Sequence, residues 1–264
     1  MTIIKARIVR YVPQDFTDQL YEAGLSKLDE GTVAQIKKFY RREDAVRGLI
    51  SKLLPRRILR EHGIDPSTAV FDKTPANKPF LLSPQLDPPL AYNISHDNGL
   101  VGIVYGPGIN DAPAFQLGID LMKVRIPGND TFETFIGYMD SQLTRLEHHT
   151  LLSTPLPQAL QDFFWIWTMK EAYTKALGLG LGFDFARVEY NPKTNVLTVD
   201  GTVPTGWAFH KFTSQVGVGE GEEMYVGVVA QHVGGTEPAV VHSEKEACPW
   251  IVYEDAVSFV QTCE

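Results

Sequence analysis

The chain has 264 residues, enough for one or two domains at about 150 residues each. Its 44% hydrophobic, 21% charged and 11% aromatic content is that of an ordinary globular protein and excludes a disordered, collagen-like or coiled-coil chain. A balance of 24 basic against 32 acidic residues, net −8, argues against nucleic acid as a partner of the whole molecule.

No run approaches the roughly 18 apolar residues of a membrane span, and the opening Met1-Thr2-Ile3-Ile4-Lys5-Ala6-Arg7 lacks the apolar stretch of a secretory signal. Cys248 and Cys263 are the only cysteines, so no disulfide framework is expected and a cytoplasmic setting without membrane association is the default. Charge is unevenly placed. Lys37 to Arg60 carries nine basic residues against Glu43 and Asp44, a net +7 that leaves −15 for the rest. Such a segment is either a solvated helix face or a surface for an anionic ligand or acidic partner.

In chain order, Thr2 to Val12 alternates like a strand, and Leu25 to His62 has helical apolar spacing with Pro55 as an expected break. Five prolines between Pro75 and Pro89 predict loop around Asn77-Lys78-Pro79. Leu90 to Ser95 and Leu100 to Tyr105 read as a hairpin joined by His96-Asp97-Asn98-Gly99. Gly106 to Pro113 is the expected boundary between two halves, 1–110 and 111–264. Phe115 to Leu121 is then a strand, Phe132 to Leu152 partly helical, and Pro157 to Leu177 a helix stopped by Gly178. Strands follow at Arg187 to Tyr190, Val196 to Val199, Trp207 to Phe212 and Tyr225 to Ala230, whereas the tail after Gln231 carries no readable role.

Glu171 and Lys175, spaced i,i+4, lie on one helix face, an arrangement that is usually a surface ion pair. The preceding Phe163, Phe164, Trp165, Ile166 and Trp167 argue instead for a buried helix, where ionic groups are paired or bind a ligand. Asp120 ends an apolar strand as either a helix cap or a metal ligand. Gly178-Leu179-Gly180-Leu181-Gly182 closes a helix rather than opening one, which counts against a nicotinamide-binding loop. Asn93-Ile94-Ser95-His96 is equally compatible with polar groups that satisfy a turn.

Taken in order, Lys78-Pro79, Asn93-Ile94-Ser95-His96, Gly118-Ile119-Asp120 and Trp167-x-x-Lys170-Glu171-Ala172-Tyr173-x-Lys175 with Gly178-x-Gly180-Leu181 resemble the motifs of the 4′-phosphopantetheinyl transferases. The similarity is closest to the two-lobed Sfp-type and eukaryotic class, and it spans roughly Lys37 to Ala230. The resemblance implies an α+β fold of two similar lobes related by a pseudo-two-fold axis, each helix plus antiparallel sheet. It implies a monomer with coenzyme A and Mg²⁺ in the cleft, moving phosphopantetheine to a serine of an apo acyl or peptidyl carrier protein, an aminoadipate reductase included. Asp120 and Glu171 match the metal ligands, Glu171 also the base, and Lys175 the cation on the diphosphate. Lys73, Thr74, Asn77, Lys78, Pro79, Asn93, Ser95, His96 and Lys170 match coenzyme A positions, with Lys37, Lys38 and Arg47 as further cations. Three departures stand out: Met122 where many bacterial relatives have Glu, Asn77 where Gly commonly precedes Lys-Pro, and Gln35 at a cationic position. They leave a non-catalytic coenzyme A-binding or carrier-docking protein as the rival reading.

Overall fold

The computed structural model describes residues 4–108, 115–179, 182–217, 222–244 and 248–263. The first lobe runs β1 (Lys5–Arg10), α1 (Asp18–Leu25), α2 (Glu30–Ile36), α3 (Arg42–Glu61), a hairpin of β2 (Val70–Lys73) and β3 (Pro79–Ser83), then β4 (Leu90–Asp97) and β5 (Leu100–Pro107). The second runs β6 (Leu117–Lys123), α4 (Phe132–Tyr138), α5 (Arg145–Ser153), α6 (Leu156–Leu177), β7 (Val188–Asn191), β8 (Val196–Val199), β9 (Trp207–Val216) and β10 (Glu223–His232). The order β1-α3-β4-β5 recurs as β6-α6-β9-β10, a repeat of connectivity that the sequence conceals.

Each lobe's sheet has three antiparallel strands and one parallel edge strand. β5 lies between β1 and β4, and β10 lies between β9 and β6. The parallel edges come from the tail. β11 (Val240–Ser243) joins β9 of the second lobe, whereas β12 (Ile251–Asp255) joins β1 of the first, and α7 (Ala256–Thr262) buries Phe259 and Val260 among α1 and α3. This corrects the expected division at residue 110: residues 251–262 belong to the first lobe and strap the lobes together. The apolar Trp250 to Val260 stretch is the part of the tail with a core to enter, which explains why it is apolar at all.

Alternation along the strands builds four layers, helix–sheet–sheet–helix. Ala6, Ile8, Leu117, Ile119, Leu121, Phe212 and Val229 face the space between the two sheets. Val9, Val101 and Ile103 face α3 in the first core, and Val226, Val228 and Phe209 face α6 in the second. The expected long helix from Leu25 is divided twice: Leu25 is the last residue of α1, the chain leaves the helix at 26–29 before α2, and it does so again at 37–41 before α3. Pro55 does not break it: α3 runs through the proline, which is buried in the core. Helix α6 starts with Pro157 in its first turn and ends at Gly178, whose φ of 69° places it in the left-handed region that caps helices. Gly178, the first glycine of the run, is therefore a helix stop; Gly180 and Leu181, and 109–114 of the expected boundary, lie outside the described residues.

Candidate active site

The site is built on one close approach. Since Leu117, Ile119 and Leu121 face the inter-sheet core, Gly118, Asp120 and Met122 face α6. A Cβ at Gly118 would stand 2.2 Å from the Ala172 carbonyl oxygen and 2.5 Å from the Ala176 nitrogen, so only glycine lets β6 touch the helix backbone. Two residues along, Asp120 meets the face of α6 that carries Glu171 and Lys175.

Asp120 is buried, with 3% exposure. Its Oδ1 accepts from Lys175 Nζ at 2.6 Å and from Ser95 Oγ at 3.0 Å, while Lys175 also donates to Ser95 Oγ at 3.1 Å. Asp120 Oδ2 is buried with no hydrogen-bond partner. Burial pushes the Asp120 carboxyl up, with Lys175 and Ser95 pulling it back. Glu171 is pushed up by burial and then by the charge of Asp120, against Lys175. Burial holds the His96 imidazole down, helped by Arg47 and Lys175. These groups line a cleft of about 240 Å³ together with Met122 and Trp167. Met122 and Trp167 also wall an adjoining pocket of about 310 Å³ that contains Lys123 and Arg125.

An orphaned buried carboxylate oxygen beside a second carboxylate is a donor set suited to a hard divalent cation. Among the described residues Asp120 and Glu171 are not part of any cluster of three or more His, Cys, Asp or Glu side chains placed to hold a metal.

The other sequence-derived residues divide. Ser95 and His96 reach the cleft, and Arg47 stands at the seam between the lobes, donating to the Asn98 carbonyl at 2.9 Å. Lys73, Thr74, Asn77, Lys78 and Pro79 form the tip of the β2–β3 hairpin, closed by Thr74 N to Lys78 O at 2.9 Å. Asn77 has φ of 66°, the left-handed geometry for which glycine is favoured and asparagine is the best-tolerated substitute, so this departure keeps the turn. The Lys78 ammonium does not face an open nucleotide site: it is buried and donates to the carbonyls of Phe115 and Ala176, pinning the hairpin to the end of α6. Burial lowers its pKa to about 7.

Lys170 is excluded from the cleft. Fully buried, it donates to Glu147 Oε2 at 2.6 Å and to the carbonyls of Gln142 and Phe185, an ion pair that holds α5 to α6. Asn93 also turns from the cleft, since its Oδ1 accepts from Ile119 N at 2.9 Å. Lys37, Lys38 and Arg41 are exposed, but Arg42 and Arg56 of the same basic segment are paired with Asp18 and Asp29, and Arg57 with Glu61, which shrinks the free basic face. Sequence reasoning missed Asp97 and Tyr225, which join the lobes. The signal was present as polar residues at 93, 95 and 97, every second position of a strand whose remaining residues, His96 apart, are apolar or aromatic.

Comparison with known proteins gives the family of the chain. A family model described as the 4′-phosphopantetheinyl transferase superfamily matches residues 116–226, and one described as the N-terminal part of 4′-phosphopantetheinyl transferases matches residues 15–107. The chain is 41% identical over 255 residues to the 4′-phosphopantetheinyl transferase pptA of Paxillus involutus, covering 95% of this chain and 94% of that protein. It is 29% identical over 192 residues to the L-aminoadipate-semialdehyde dehydrogenase-phosphopantetheinyl transferase of Mus musculus, covering 67% and 60%. A phosphopantetheinyl transferase of Thraustochytrium is 28% identical over 215 residues, covering 77% and 71%.

Proposed function

We propose, from the premise that this chain belongs to the 4′-phosphopantetheinyl transferases, that its cleft moves phosphopantetheine from coenzyme A to a carrier serine with Asp120, Glu171 and Lys175 in the central roles. The observation that carries this reading is the convergence of those three side chains from two elements on one buried cleft, with Asp120 Oδ2 lacking a partner. Asp120 and Glu171 are the residues that would hold Mg²⁺, which when bound neutralises diphosphate charge and stabilises the leaving phosphate. Glu171 takes the proton of the attacking serine hydroxyl. Lys175 supplies a fixed cation to the diphosphate oxygens, where charge develops as the bond to adenosine 3′,5′-bisphosphate breaks. Ser95 holds both Asp120 and Lys175 in orientation. His96 and Arg47, with the exposed Lys37 and Lys38, are the groups available to the 3′-phosphate.

The partners are carrier proteins. A carrier borne by an aminoadipate-semialdehyde dehydrogenase is the one that the names of the animal relatives point to, and acyl and peptidyl carriers present the same serine chemistry. No helix among the described residues is long and apolar enough to cross a membrane. The test is chromatographic release of adenosine 3′,5′-bisphosphate from coenzyme A in the presence of an apo carrier. Release that needs both carrier and Mg²⁺ supports the reading. Coenzyme A binding without release, in wild-type protein and with several carriers, returns the chain to a binding-only role.

A further inference from the structure

β6 is an edge strand, paired on one side with β10 alone. Its other edge presents the amides of Ile119, Leu121 and Lys123 to β4, which belongs to the other lobe's sheet. Buried amides require acceptors, and a neighbouring strand would ordinarily offer carbonyls. Here side chains replace them. Asn93 Oδ1 accepts from Ile119 N at 2.9 Å, Ser95 Oγ from Leu121 N at 3.2 Å and Asp97 Oδ2 from Lys123 N at 2.7 Å. One step further, Gly99 N donates to Tyr225 Oη at 2.9 Å, so residues 93, 95, 97 and 99 all bind the second lobe with the period of a strand.

Asp120 lies between two of these capped amides, and its strand is pressed from the other side by the Gly118 contact with α6. Ser95 touches Asp120 directly, Asn93 reaches it through the backbone, and Asp97 reaches it through the backbone and, as the least of the influences on its carboxyl, through its charge. We infer that Asn93 and Asp97 are positioning residues, which cap the free edge of β6 and thereby fix Asp120 against Glu171 and Lys175. This assigns Asn93 to alignment of the site rather than to coenzyme A contact, and it rests on the proposed roles of Asp120 and Glu171. A strand left free to shift on its capped edge misplaces the carboxylate without altering any group in the cleft. A misplacement of about 1 Å at reacting groups costs on the order of 100-fold in rate, so a partial shift from one lost cap should cost about tenfold.

The experiment compares wild type with Asn93→Ala, Asp97→Ala and Asp97→Asn in residue-resolved amide hydrogen exchange, Mn²⁺ binding by electron paramagnetic resonance with coenzyme A present, and steady-state transfer. Wild type is expected to protect the amides of Ile119, Leu121 and Lys123 although they lie on a sheet edge. Asn93→Ala should speed exchange at Ile119 and Asp97→Ala at Lys123. Each should weaken Mn²⁺ binding and lower kcat about tenfold with the KM for coenzyme A within about twofold. Asp97→Asn keeps an acceptor oxygen and should recover protection and most of the rate. Should Asn93→Ala fail to fold, Asp97→Ala at the far end of the row carries the same comparison. Unchanged exchange in the alanine variants overturns the capping, and faster exchange with unchanged Mn²⁺ binding and kcat overturns the positioning role. Absence of transfer by wild type sinks the transferase mechanism instead, while exchange and Mn²⁺ binding still decide the role of Asn93 and Asp97.

Discussion

Replacing Gly118 by alanine probes the contact on which the site depends. The added Cβ would lie 2.2 Å from Ala172 O, 2.5 Å from Ala176 N and 3.0 Å from Ala176 Cα, all backbone atoms of α6 that have no rotamer with which to yield. Restoring ordinary contact requires β6 and α6 to part by about 1 Å, against a close-packed interior. Overpacking of this kind costs about 1–3 kcal/mol, and for a chain of this size each kcal/mol lowers Tm by about 2–4 °C. The functional cost is larger, because the same 1 Å separates Asp120 from Glu171 and Lys175, and a displacement of about 1 Å lowers turnover on the order of 100-fold. Gly137→Ala is the control, since nothing lies within 4 Å of a Cβ at that position, next to last in α4. The assays are thermal unfolding and steady-state transfer to an apo carrier. Gly118→Ala with wild-type turnover would refute the claim that this close approach sets the site.

Other consequences are open to the same methods. Lys170→Met strands the buried Glu147 carboxylate and should cost about 3–5 kcal/mol by chemical denaturation, partly recovered by adding Glu147→Gln, while coenzyme A affinity measured by calorimetry stays unchanged; lost affinity in the folded variant returns Lys170 to the ligand site. Lys78 binds its proton less tightly folded, near 7, than unfolded, near 10.5, so between those values the unfolded chain holds more protons and stability rises with pH. Urea midpoints of wild type relative to Lys78→Met should therefore climb from pH 7 to pH 10, and parallel profiles would remove the assignment. Phe259→Ala in α7 should destabilise the protein by about 3–5 kcal/mol through a cavity in the first lobe's core; a neutral result would mean that the tail is not part of that core.

The sequence made the helix and strand pattern of both halves legible because strong periodicity, Pro157 and Gly178 mark it locally. It also exposed Asp120, Glu171 and Lys175, since an uncommon combination of spaced motifs survives without any three-dimensional information. The partners of buried polar groups were not legible. Lys170 stands next to Glu171 in sequence, yet a helix turns adjacent residues about 100° apart, and its partner Glu147 comes from another helix. Lys78 reads as a ligand-binding lysine until the burial of its ammonium is known. The tail's role depended on two parallel strand pairings with distant partners, which carry no local signature. Asn77 shows the reverse case, a departure from pattern that makes sense once its positive φ is seen.

The central claim is that Asp120, Glu171 and Lys175 form one transfer site. Its most direct test is intact-mass spectrometry of an apo carrier incubated with coenzyme A, Mg²⁺ and either wild type or Glu171→Gln, with the folded state of the variant checked by circular dichroism. The account predicts that the carrier gains the mass of one phosphopantetheine with wild type, that EDTA abolishes the gain, and that Glu171→Gln slows it by orders of magnitude. Full modification by folded Glu171→Gln at the wild-type rate would contradict it.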